Sequence, residues 1–283
     1  MRFKDKIAVI TGISREIGKE TALQFLTEGA TVILCRASNM ELQKTVETLK
    51  ADFQHIKYYA VNTTDKTEVD KLFDNIIKEF GTIDILINGA ANQTDTQFCR
   101  INEEHWDIVA DVNLKATFNC CTAASNIMKQ RQSGKIINIS PLPAPYEISH
   151  TSSLYDVSHV SAQYDISYMS ALYDIPPIPG MYGGFNQLNY PASKVGIIEI
   201  TKLMTKELSR YNININVIAP GFILTETNEK TPEKILQMIK ERVPLNRLGL
   251  PSDVAKACLF LASDDADYCV GGVYMVDGGQ SAI

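Results

Sequence analysis

The chain has 283 residues, 45% of them hydrophobic, and its 27 Lys and Arg against 33 Asp and Glu give a formal net charge of −6. That length can bury a sizeable sheet, in one large domain or two small ones. The acidic balance, without clustered Lys and Arg, disfavours a nucleic-acid or anionic-membrane surface, and no apolar run is long enough to span a bilayer. The six cysteines, Cys35, Cys99, Cys120, Cys121, Cys258 and Cys269, form no CxxC pair. They read as buried free thiols rather than as disulfides or metal ligands. MRFKDKIAVITG runs directly into an apolar stretch of strand length without a signal-peptide core, so the expected compartment is the cytoplasm.

In chain order, the periodicity predicts a strand at 6–11, a helix at 19–30, a strand at 31–35, a helix near 39–51 and a strand at 56–61. A helix at 65–79, a strand at 83–88, a long helix around 103–131 and a strand at 135–139 follow. The last elements are a helix near 190–209, a strand at 213–218, a helix at 251–262 and a strand near 273–276. Seven strands alternating with helices imply an α/β fold, a parallel sheet covered on both faces. No linker breaks the rhythm, so residues 1–283 read as a single domain. Two segments interrupt it. Residues 221–250 hold a loop and a short helix starting near Pro232, placed to act as a lid. Residues 141–181 contain ISHTSSLYD, VSHVSAQYD and ISYMSALYD, one nine-residue phrase written three times between 148 and 174.

A period of nine is two and a half helical turns, and an odd number in a strand, so Tyr155, Tyr164 and Tyr173 cannot form one continuous stripe. Three units are too short for a solenoid. The segment reads as a duplicated surface loop, with a flap over a pocket or a partner-binding arm as the sharper alternatives. His150 and His159 stand near aspartates, but the repetition accounts for them without a metal.

TGISREIG at 11–18 follows the first strand and opens the first helix, where unpaired N–H groups favour an anion. Gly12 suits a tight turn and Gly18 close helix packing. This loop, ILINGAA at 85–91, YPASK at 190–194, PGFILT at 220–225 and VDGG at 276–279 together resemble the short-chain dehydrogenase/reductase family. The resemblance covers nearly the whole chain outside 141–181 and implies a Rossmann-like doubly wound sheet and a nicotinamide cofactor. Within the family, LNRLGLPSDVAKACLFLASD at 245–264 is most similar to 3-oxoacyl-[acyl-carrier-protein] reductases.

The resemblance assigns cofactor contacts to Gly12, Ser14, Arg15, Ile17 and Gly18, to Asn62 and Thr63 after the third strand, and to Asn88, Gly89 and Ala90. Pro220, Gly221, Ile223 and Thr225 complete that set, together with Tyr190 and Lys194. Glu16 departs from the family's usual glycine. Where members that use NAD place an acid, this chain has Arg36, and with Arg15 it suits a 2′-phosphate. NADP(H) is therefore expected over NAD(H).

Tyr190 and Lys194, four residues apart on a predicted helix, share one face. A phenol with an ordinary pKa of about 10 exchanges protons more readily when an adjacent ammonium stabilises the phenolate. Tyr190 would then be general acid in carbonyl reduction and base in alcohol oxidation, with Lys194 holding the nicotinamide ribose. Asn113 matches the family asparagine that supports the lysine, turned inward by a kink. The family's substrate-orienting serine falls on Pro141; Ser140 is the candidate replacement, and the alternative is a serine returned by the insertion, among Ser149, Ser152, Ser153, Ser158, Ser161, Ser167 and Ser170. The expected activity is interconversion of a ketone and a secondary alcohol, possibly on a 3-oxoacyl thioester. The alternatives are a dienoyl-CoA-type reductase, suggested by LINGAAN, and a catalytically weak NADP(H)-binding scaffold or sensor. The family also implies a homotetramer packed through the long helix near 103–131 and the Tyr190 helix.

Overall fold

A computed structural model describes residues 1–12, 15–37, 46–91, 101–141, 189–225 and 231–282. The 148–174 repeat, Ser14, Cys99, the start of the second predicted helix and residues 226–230 lie outside the described residues, and so does the side chain of Arg15. The strands are β1 (Ile7–Thr11), β2 (Thr31–Arg36), β3 (Ile56–Ala60), β4 (Ile85–Asn88), β5 (Gly134–Ile139), β6 (Ile213–Pro220) and β7 (Val273–Val276). They form one sheet in the order β3-β2-β1-β4-β5-β6-β7, with parallel pairing throughout. The winding direction reverses between β1 and β4, so a crevice opens beyond their carboxyl ends.

Alternation along the central strands shows why both faces must be covered. On β1, Ala8 and Ile10 enter one hydrophobic cluster while Ile7 and Val9 enter another. On β4, Ile85 and Ile87 join the first cluster and Leu86 the second. Successive strand side chains point to opposite faces, so a strand apolar at every position needs a layer on each side. Helices α1 (Arg15–Thr27) and α7 (Pro251–Ala262) cover one face; α2 (Lys66–Phe80) and α4 (Ala116–Arg131) cover the other. Residues 46–50 are helical, as expected for the end of the second predicted helix.

Helix α2 illustrates the local logic. The Asp65 carboxylate accepts from the Thr67 and Glu68 N–H groups at 2.7 and 3.2 Å, and Gly81 ends the helix in the left-handed region. Val69, Leu72, Phe73 and Ile76 recur at helical spacing and are buried. The predicted helix at 103–131 is interrupted. Helix α3 (Glu103–Ala110) passes into one wide π turn at Asp111–Lys115 and continues as α4. The extra residue in that turn rotates Asn113 inward, where it is fully buried.

Helix α5 (Asn189–Leu208) follows the YPASK register, and α6 (Glu233–Arg242) begins after Pro232. Ile235 and Ile239 of α6 pack with Phe222, so the described residues of the 221–250 segment share a small apolar cluster of their own. Cys35, Cys120, Cys121 and Cys258 are buried free thiols, and burial pushes those of Cys121 and Cys258 up to about 12. At neutral pH they are not nucleophiles. Among the described residues no helix is long and apolar enough to cross a membrane.

The α2 cap fixes the loop carrying Asn62 and Thr63. Replacing Asp65 by Ala is expected to cost about 1 kcal/mol, read as a lower urea midpoint with an unchanged slope, while Asp65→Asn stays close to the parent.

Candidate active site

The crevice is built backbone against backbone. Gly12 has φ of +59°, and a Cβ there would lie 2.4 Å from the Ala90 Cα, so any side chain would be both strained and obstructed. Gly12 N–H donates to the Cys35 carbonyl at 3.1 Å and Gly89 N–H to the Thr11 carbonyl at 2.9 Å. These bonds draw the ends of β1, β2 and β4 together. Arg15 opens α1 directly after the turn, with Glu16 in the first helical turn, Ile17 packed on the core and Gly18 buried. Arg36 ends β2 beside this turn and is half-buried.

Asn62 and Thr63 sit at the same edge. The Asn62 Oδ1 accepts from the Thr64 N–H and hydroxyl at 3.2 and 2.9 Å, and the Thr63 carbonyl accepts from Asn119 Nδ2 at 3.1 Å. Asn119, on α4, was not legible as a site residue. Its only sequence signal is an amide on an otherwise buried helical face. Asn88 differs from expectation. It is 2% exposed, its Oδ1 accepts from Thr11 Oγ1 at 2.8 Å, and its Nδ2 donates to Asn138 Oδ1 at 2.9 Å. Its side chain therefore supports the crevice from beneath, leaving Gly89 and Ala90 at the surface of approach.

Pro220 closes β6, and Gly221 N–H donates to the Val276 carbonyl at 3.0 Å. Leu224 N–H donates to the Gly249 carbonyl at 2.8 Å and Gly249 N–H to the Phe222 carbonyl at 3.0 Å, which holds Ile223, with Thr225 two residues on.

The first turns of α5 carry the candidate residues Tyr190 and Lys194. Lys194 is fully buried; its Nζ donates to the Ala90 carbonyl at 3.3 Å and lies 5.2 Å from the centre of the Tyr190 ring. Asn113 Nδ2 donates to Ser193 Oγ at 2.9 Å, and Ser193 Oγ donates to the Tyr190 carbonyl at 2.7 Å. Asn189 Nδ2 donates to the His105 carbonyl at 3.2 Å. Ser193 was visible inside YPASK, but nothing in the motif reveals its partner.

Two expectations change here. Ser140 is fully buried, and its Oγ lies 3.0 Å from the Lys194 carbonyl. A carbonyl only accepts, so the single hydroxyl proton of Ser140 is donated to the α5 backbone. Tyr190 was expected to have its pKa lowered by Lys194; instead burial pushes the phenol up to about 12 and the Lys194 ammonium down to about 7. Loss of water around the charged form is the cause of each shift.

A family model described as short chain dehydrogenase matches residues 6–156, and one described as Enoyl-(Acyl carrier protein) reductase matches residues 180–281. The 3-oxoacyl-[acyl-carrier-protein] reductase FabG of Thermotoga maritima is 36% identical over 99% of this chain and 99% of that protein. The protein of the same name from Staphylococcus aureus is 32% identical over 97% of this chain and 98% of its own length, and that from Chlamydia trachomatis serovar D 32% over 98% of each. In fold, the solved structure of gox2181 superposes with a TM-score of 0.80 over 100% of this chain and 98% of its own, at 24% identity. A seven-stranded parallel sheet, a glycine turn pressed against the end of β4, a buried lysine four residues after a tyrosine and these matches lead to one conclusion: the chain belongs to the short-chain dehydrogenase/reductase family.

Proposed function

We propose that the chain is an NADP(H)-dependent oxidoreductase that interconverts a ketone and a secondary alcohol, with 3-oxoacyl thioesters as the leading substrate class. The observation that carries this reading is the pairing of Tyr190 with a fully buried Lys194 whose Nζ is held at the Ala90 carbonyl. The names of the relatives from three bacteria support the substrate class.

The residues fit a dinucleotide. The Gly12 turn admits no Cβ, the α1 amino terminus follows it, and the strand ends converge there. Gly12, Ser14, Arg15, Ile17 and Gly18 would hold the phosphates. Asn62 and Thr63 would hold the adenine side, and Gly89, Ala90, Pro220, Gly221, Ile223 and Thr225 the nicotinamide side. Arg36 at the end of β2, with Arg15 opening α1, supports a 2′-phosphate. When bound, the nicotinamide nucleotide supplies the hydride.

Tyr190 supplies the proton. A phenol pushed up to about 12 is protonated at neutral pH, the form a general acid requires, whereas oxidation needs a phenolate that is scarce there. The site is thus set for reduction. The protonated Lys194 stabilises the phenolate left behind, and Asn113, through Ser193, holds the Tyr190 backbone.

A second reading, an NADP(H)-binding scaffold or sensor with weak turnover, draws support from Pro141 and from the committed Ser140 hydroxyl. Half-exposed Phe118 on α4 and Leu203 on α5 support packing of these helices against further copies in a homotetramer. The free thiols suit a reducing cytoplasm.

NADPH oxidation with acetoacetyl-CoA, simple ketones and a dienoyl-CoA tests the assignment. Turnover of the 3-oxo compounds is expected, and tight NADPH binding without any turnover would leave the scaffold. Tyr190→Phe should lower kcat by about 10²–10³-fold with NADPH affinity little changed. Arg36→Asp should move the kcat/KM ratio from NADPH towards NADH by at least about tenfold.

The pH dependence follows from Lys194. Its pKa falls from 10.5 in the unfolded chain to about 7 in the fold, so the reduction rate should decline above about pH 7 as the ammonium loses its proton. Between pH 7 and 10.5 the unfolded chain holds a proton that the native site does not, so stability rises with pH across that window. Lys194→Met should therefore be more stable than the parent below pH 7, with the difference shrinking towards pH 10, as thermal melts at several pH values would show.

A further inference from the structure

A row of buried polar side chains crosses the sheet beneath the crevice. Thr11, Asn88 and Asn138 are register partners on β1, β4 and β5. Thr11 Oγ1 donates to Asn88 Oδ1 at 2.8 Å, and Asn88 Nδ2 to Asn138 Oδ1 at 2.9 Å. Asn138 Nδ2 donates to Thr201 Oγ1 at 2.9 Å, and Thr201 Oγ1 donates to the Ile197 carbonyl at 2.8 Å. The Cys121 thiol fits between the two amides, accepting from Asn88 Nδ2 at 3.2 Å and donating to Asn138 Oδ1 at 3.6 Å.

The protons all run one way, from β1 to α5. Reversing the Asn138 amide would set two NH2 groups against each other at Asn88, so its orientation is fixed by its partners. Thr11, Asn88, Asn138 and Thr201 are each 2% exposed or less, and any break would leave a buried polar atom unpaired.

The row reaches the catalytic helix at a particular place. Asn138 on β5 and Ser140 just past its end are two apart and face the same side; Lys194 and Thr201 are seven apart on α5, two helical turns along one face. Ser140 holds the Lys194 carbonyl and Asn138 holds Thr201. Lys194 is thereby fixed at both ends, its carbonyl by Ser140 and its Nζ by Ala90.

We propose that Asn138, Ser140 and Thr201 form a polar clasp that sets the register of α5 on β5, making them positioning residues for Tyr190 and Lys194, and that Ser140 serves this clasp rather than the substrate. The functional half of this inference rests on the reductase reading above. Hydrophobic packing alone would leave the helix able to slide or rotate along the strand, because apolar contacts are not directional. Two hydrogen bonds two turns apart remove both motions.

The test uses the full chain with NADPH and acetoacetyl-CoA across pH 5.5–9, together with hydrogen exchange of the α5 peptides followed by mass spectrometry. Thr201→Val is nearly isosteric and lies two turns from Lys194. It is expected to lower kcat about tenfold, with KM within about twofold, to shift the midpoint of the pH profile, and to speed amide exchange at 189–194. Thr201→Ser, which keeps the hydroxyl, should restore all three. Ser140→Ala should likewise speed exchange at 189–194.

A Thr201→Val enzyme with parental kcat, pH midpoint and exchange would overturn the clasp, as would failure of Thr201→Ser to restore them. Ser140→Ala with lowered kcat but parental exchange would make Ser140 a substrate-facing donor and overturn its assignment. If Thr201→Val does not fold, Ser140→Ala and its exchange pattern decide. If the parent turns over no substrate, the reductase reading fails on its own, and exchange in the variants still decides whether the clasp exists.

Discussion

The site depends on burying one ammonium. An isolated charge moved from water to a protein interior costs several kcal/mol even after relaxation, and the Ala90 carbonyl and the Tyr190 ring offset only part of it, since burial still pushes Lys194 down to about 7. Neither partner is an opposite charge. The arrangement therefore survives only where the carbonyl and the ring cannot move away, which places the demand on rigid backbone. Ala90 is rigid because Gly12 abuts it and Gly89 is bonded to β1. The glycine of the first turn and the buried lysine are thus parts of one construction, joined through a single alanine.

The same burial inverts the order of two acids. In water a tyrosine and a lysine titrate within about half a unit of one another. Here the phenol sits near 12 and the ammonium near 7, so the ammonium is much the stronger acid. In the proposed reduction, a proton given up by Tyr190 would be replaced downhill from the Lys194 side. Groups whose environments push their pKa values apart reveal their roles: at neutral pH the phenol is the loaded donor, and the amine is the group poised to titrate.

Much of this was legible in the sequence because it depends on local period. Alternating apolar strands and helices gave seven strands close to their observed limits, and Tyr190 and Lys194 share a face because of their spacing alone. What the sequence could not disclose were partners separated by tens of residues. Asn88 lay in a motif that suggested cofactor contact, yet its neighbours Thr11 and Asn138 draw it into the sheet. Asn138, an amide inside KIINIS, announced a buried polar group without saying what satisfied it. The π turn was invisible to apolar periodicity, because one extra residue in a turn leaves the flanking patterns intact; only the resemblance implied that Asn113 turns inward.

Pro141 is the sharpest departure from the family pattern, and its backbone chemistry explains how the strand end accommodates it. The Ser140 N–H donates to the Ile218 carbonyl at 2.9 Å on the β6 side, and Pro141 follows beyond the end of β5, where no ladder bond among the described residues calls for its N–H. A proline also restricts the residue before it to extended backbone. Ser140 is therefore held in the conformation that continues the strand, with its hydroxyl on the same side as Asn138 and aimed at the Lys194 carbonyl. On the proposed reading, proline at 141 withholds a hydroxyl from the substrate, and a carbonyl would be oriented by groups other than residue 141. The rigid backbone at Pro141 and the Ser140 hydroxyl instead favour a fixed alignment of Tyr190 and Lys194.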